Sequence, residues 1–169
     1  MSTETQESTA MSWTPTRLWG SAIAGGLVAG VGMGLIMHFV MGAMPLIGAL
    51  VGQPTVLAGW ILHMLISVVF ALTFAAIVAR TSFREYGLVG MIGLGAAYGI
   101  VLEIVAAGFV LPLWANAVGA GPLPVPFLVP MGFLTHIVFG VLLGAVFGYA
   151  VTRDRTASMA EKRTERPAA

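Results

Sequence analysis

Four ionisable side chains other than tyrosine interrupt the apolar stretches of this chain: His38, His63, Glu103 and His136. An ionisable group is costly to keep in lipid, so it ordinarily faces the interior of a helix bundle and marks a functional hypothesis. Three imidazoles and one carboxylate together suit zinc, copper or iron, which makes His38, His63, Glu103 and His136 a candidate metal cluster. His63 and His136 alone could ligate one haem b iron from both sides. A carboxylate with imidazole neighbours could also take up a proton and hand it on. The plainest alternative is structural: the same groups hydrogen-bond neighbouring helices and pin the register of a bundle, for about 0.6 kcal/mol each.

Their surroundings decide which way they point. Residues four apart share a helix face. Gly26, Gly30 and Gly34 precede His38 at that spacing, and Gly59, Ser67 and Ala71 flank His63. Gly95 and Gly99 precede Glu103, and Gly132, Gly140 and Gly144 flank His136. Each ionisable residue therefore sits on a stripe of small residues, the close-packing face of a membrane helix. Such stripes would also leave room for a porphyrin beside His63 and His136. No nucleophile and base are arranged for hydrolysis, so an enzymatic role is not expected.

The elements that carry these residues follow from composition. Of 169 residues, 58% are hydrophobic and only 9% charged, with a mean hydropathy of +0.94. Soluble domains carry about a quarter charged residues, so a soluble fold, a disordered chain and a nucleic-acid partner are excluded. There is no cysteine, hence no disulfide, thiolate metal site or covalently attached haem. A membrane-crossing helix needs about 20 apolar residues. Four stretches qualify, at about 18–44, 56–79, 87–111 and 127–151, the first and third ending at Pro45 and Pro112. Residues 1–17 read as a polar, flexible N-terminal tail and 153–169 as a charged C-terminal one, around a transmembrane domain spanning 18–152.

All lysines and arginines lie before the first stretch, between the second and third, and after the fourth. The positive-inside rule places both termini and the middle loop in the cytoplasm. The two charge-free loops, Met44–Thr55 and Leu111–Pro126, then face outward. His63 and His136 each lie 17 residues from the arginine closing their span, about 25 Å deep at 1.5 Å per residue. Glu103 comes out at about 27 Å and His38 at about 31 Å, so all four belong to the outer half of the bilayer.

The chain also reads as one helical hairpin written twice. A shift of 67 aligns Gly26–Gly52 with Gly93–Gly119, matching Pro45, Leu46, Val51 and Gly52 to Pro112, Leu113, Val118 and Gly119. A shift of 73 aligns His63, Phe74 and Arg80 with His136, Phe147 and Arg153. A shift of 65 competes in the first helix, pairing Gly30, Gly34 and His38 with Gly95, Gly99 and Glu103. The repeated Gly59-Trp60-x-x-His63 and Gly132-Phe133-x-x-His136 resembles uncharacterised prokaryotic four-span membrane proteins filed as domains of unknown function. That resemblance covers Leu18–Arg153 and implies fold and membrane location, with no residue roles.

The expectation is an all-α membrane protein of four transmembrane helices in two duplicated hairpins, multi-pass in the plasma membrane, with both termini cytoplasmic. Its expected role is that of a non-enzymatic accessory or scaffold component. Its partners would be the lipid bilayer and either a second copy or other membrane subunits. A haem b- or metal-binding redox component is the alternative, and a small proton-coupled transporter the third option.

Overall fold

The computed structural model describes residues 15–164. Most of the expected N-terminal tail, up to residue 14, and the last five residues lie outside the described residues. The described residues are helical, with no strand among them. Helix suits this composition, because a helix satisfies its backbone hydrogen bonds within the segment where lipid offers none. Four helices are long and apolar enough to cross a membrane: 15–39, 56–80, 88–117 and 130–153.

Helix α1 (Pro15–Phe39) opens on a proline, whose fixed φ suits the first turn. It stops five residues short of the expected end at Met44, because Gly42 turns the chain at φ +62°. A short helix, α2 (Met44–Ala49), follows with Pro45 in its first turn. Gly52, at φ +72°, redirects the chain toward α3 (Val56–Arg80). The Thr55 hydroxyl caps α3 by accepting the Ala58 N–H at 3.2 Å.

A 3₁₀ turn (Ser82–Glu85) leads into α4 (Leu88–Leu102). From Glu103 to Val110 the helix widens to π geometry, then returns to α as α5 (Leu111–Ala117). The third span thus runs through Pro112 rather than stopping there. A proline inside an α-helix removes a bond to the carbonyl four residues back and crowds it. In the widened turn Leu111 N–H bonds Ala106 O instead. The Gly108 carbonyl, which Pro112 cannot serve, is taken by Phe127 N–H at 2.8 Å. Asn116 holds the returning loop with its side-chain amide, whose Nδ2–H donates to Leu123 O at 2.9 Å and whose Oδ1 accepts from Leu123 N–H at 2.8 Å. Helix α6 (Pro130–Thr164) completes the chain, and its helical conformation continues beyond Arg153 into the stretch expected to be a tail.

The helices pack in the order α3, α1, α6, α4. Glycine makes each seam close. On the α1–α3 seam a Cβ at Gly26, Gly30 or Gly34 would strike Ala71, Ser67 or the rings of Trp60 and His63. On the α4–α6 seam Gly95 abuts the Gly140 carbonyl, Gly99 the His136 carbonyl, and Gly144 the Met91 carbonyl. The central α1–α6 seam sets Gly25 and Gly32 under Leu143 and Leu142. The remaining edge, between α3 and the third span, is not packed along its length. It is tied at one level, where the Tyr98 hydroxyl donates to Phe70 O at 2.9 Å. There Phe74 meets Tyr98 and Phe147 at centroid distances of 5.3 and 5.6 Å.

Candidate functional site

The helix seams bring the predicted residues to different fates. His63 is buried on the expected face of α3, among Gly59, Ser67 and Ala71. Its Nε2–H donates to the Gly30 carbonyl of α1 at 2.9 Å, through the window that a glycine backbone leaves open. His136 is buried on the matching face of α6, and its Nδ1–H donates to Gly132 O, four residues back, at 3.0 Å. Glu103 is fully buried at the first residue of the π segment. Its carboxylate lies against Gly132, where a Cβ would collide with Oε1. Oε2 lies 2.8 Å from His136 Nδ1. Because that N–H is aimed at Gly132 O, neither carboxylate oxygen receives an aligned hydrogen bond.

His38 stands apart. It is half-buried near the end of α1, its ring 4.4 Å from Phe39 and 6.2 Å from Trp60. Trp60 in turn meets His63 at 6.1 Å. Among the described residues no three His, Asp or Glu side chains come together as a metal site. The four-residue cluster expected from the sequence is therefore not assembled: His136 and Glu103 pair, while an indole lies between His38 and His63. The reason is that His38 lies in the last turn of α1, where Trp60 rather than His63 is its ring neighbour on α3. The room expected beside the two histidines for a porphyrin is also filled. Gly30 and Gly26 occupy the space over Ser67 and Ala71, and the α4 backbone covers Gly140 and Gly144.

What His63 and His136 share is a cavity of about 350 Å³ in the half of the bundle nearer the charge-free loops. Met33, Met37, Phe70 and Phe139 line it, and Ser67 adds a hydroxyl. The π segment and α5 supply Ala106, Ala107, Val110 and Trp114. These last residues carry no chemistry of their own and were not among the predicted site residues. A signal for them does exist in the chain. Gly34 and Pro45 are 11 residues apart, whereas Gly99 and Pro112, their expected counterparts at shifts of 65 and 67, are 13 apart. Two extra residues between a packing stripe and a turn are what a π segment absorbs, and such segments occur often at functional sites.

Each imidazole spends its N–H on a backbone carbonyl. In a neutral ring that selects one tautomer and leaves Nδ1 of His63 and Nε2 of His136 as acceptors. The site is thus an apolar chamber holding two imidazole acceptors and the Ser67 hydroxyl, with a buried carboxylate behind His136. No family model, curated protein or solved structure matches the chain.

Proposed function

We propose that this protein is a non-enzymatic, multi-pass accessory component of the plasma membrane that binds a small lipid-soluble molecule in the His63/His136 cavity. The observation that carries the reading is that two imidazoles on different helices, each with its tautomer fixed, line one apolar chamber. Pockets of this kind, with apolar walls and a few polar groups, are the usual form of small-molecule sites. In this reading both termini are cytoplasmic and the chamber lies in the outer half of the bilayer, as the arginine distribution favours.

We also infer that the two halves arose by duplication. The seams support this. Gly30 meets Ser67 as Gly95 meets Gly140, and Gly34 meets His63 as Gly99 meets His136. Both turns after the short helices use a glycine at nearly the same φ, +72° at Gly52 and +71° at Gly119. The shift of 65 thus describes the packed stripes and the shift of 67 the turns. In this scheme Glu103 is the counterpart of His38.

The test is a lipid extract of the protein purified in mild detergent, analysed by mass spectrometry beside the Ala107→Phe variant. Ala107 is only partly buried on the cavity wall, so a phenyl ring there fills the chamber without entering a packed seam. A compound class enriched with the native protein and lost in the variant supports the reading. Identical extracts overturn it.

A second reading rests on the ring anchoring. A metal-ligating histidine ordinarily donates its other N–H to a carbonyl or carboxylate, as His63 and His136 do. A metal ion held by this pair predicts bound metal. It is checked by total metal analysis, repeated on His63→Ala and His136→Ala. A metal-free protein removes it.

A further inference from the structure

The chamber's opening and its two acceptors together specify more than a generic lipid. Leu65 and Val69 of α3 line the chamber and are also 61% and 58% exposed on the molecular surface. On the other side of the gap Val110 lines it and is 51% exposed. These apolar side chains frame the unpacked edge between α3 and the third span. The opening therefore faces lipid, and an occupant enters sideways from the bilayer.

Inside, with both rings neutral, the occupant meets two imidazole nitrogens that accept. Turning either ring to present an N–H would set its other, bare nitrogen against a carbonyl oxygen, at Gly30 or Gly132. The preferred occupant must therefore donate twice, from separated positions, to acceptors on different helices. The walls carry Phe70, Trp114 and Phe139, which suit a flat ring in face or edge contact. A volume of about 350 Å³ holds a ring and its near substituents, while a longer tail leaves through the gap into lipid.

We propose that the lateral chamber is a binding site for the reduced, dihydroxy form of a lipid quinone, its two hydroxyls donating to His63 Nδ1 and His136 Nε2. This rests on the cavity reading above and narrows it. The oxidised quinone offers carbonyl oxygens to the same two imidazole nitrogens, which leaves both nitrogens unpaired and only the Ser67 hydroxyl and the Trp114 indole as donors on the walls. A site built around a hydrogen bond discriminates strongly against a ligand that cannot make it. A lipid with one hydroxyl satisfies only one imidazole. The proposal is for binding and selection of redox state.

The experiment uses the full chain in lipid nanodiscs under argon, titrated calorimetrically with a decyl-benzoquinol and with the same molecule oxidised. The quinol is expected to bind at least about tenfold more tightly than the quinone. His63→Phe and His136→Phe should each cut quinol affinity about tenfold and leave quinone affinity unchanged. Ala107→Phe should abolish binding of both forms. Equal affinity for the two forms overturns the proposal. If Ala107→Phe then removes both, the cavity reading survives without the donor selection. Binding of dioleoylglycerol as tight as that of the quinol also overturns it, because one donor then suffices. Absence of heat with either form overturns it as well, and the comparison of lipid extracts judges the cavity reading separately. The wild-type quinol-to-quinone ratio requires no variant to fold.

Discussion

At the residue scale, the tightest constraint is the meeting of Glu103 with Gly132. A methyl group at Gly132 has nowhere to go except into the carboxylate, which is itself enclosed. Gly132→Ala should therefore destabilise the protein by about 1–3 kcal/mol, the usual cost of overpacking. Gly93, on the same span as Glu103, has open space where its Cβ would be. Gly93→Ala should be neutral or stabilise by up to about 1 kcal/mol, since alanine holds helix better. Reversible unfolding of both variants in mixed micelles measures the contrast, and equal effects would remove the packing argument. Chemistry at this scale was readable in the sequence where spacing determined it. The small-residue stripes around His63 and His136 face inward, as their four-residue period requires. His38 shares such a stripe but lies in the last turn of α1, beside Trp60 of α3, and periodicity along one helix does not report a neighbour on another.

At the element scale, the π segment sets which side chains of the third span reach the chamber. Its two extra residues keep Gly95 and Gly99 on α6 while carrying Ala107, Val110 and Trp114 round to the cavity. Deleting Ala106 should tighten the segment and turn everything beyond it by about 100°. Trp114 would then leave the cavity wall. The expected outcome is a changed indole emission, read in a background with the other tryptophans replaced by phenylalanine, together with loss of chamber-bound ligand. Retained binding with unchanged emission would show that the segment does not set this geometry. Sequence alone placed the end of this span at Pro112 because proline usually ends a helix. What overrides the rule is a long-range contact, Phe127 N–H on Gly108 O, which local pattern cannot show. The other spans were readable from their apolar runs, and the start of α3 at Val56 coincides with its expected start.

At the scale of the whole molecule, arginine placement sets the proposed orientation. The native chain has no cysteine, so a single introduced one reports its own side of the membrane. Gln53→Cys and Ser82→Cys place thiols at exposed positions at opposite ends of the bundle. In intact cells an impermeant maleimide should label the first at once and the second only after permeabilisation. The reverse pattern would invert the topology and move the chamber to the inner leaflet.

The order α3, α1, α6, α4 joins the two hairpins by the α1–α6 seam, while the opposite edge is tied at the level of Tyr98. The molecule is therefore built like a hinged book, with its spine at Gly25 and Gly32 and its pages meeting at a single clasp. Opening it wider breaks no glycine seam but parts the clasp and the Phe74 ring contacts with Tyr98 and Phe147, and the clasp's hydrogen bond is worth about 0.6 kcal/mol. Tyr98→Phe should thus leave the spine and the equilibrium fold intact and speed the exchange of a bound molecule about threefold, as stopped-flow displacement would record. How long a guest stays is then governed by a hydroxyl group that never touches it.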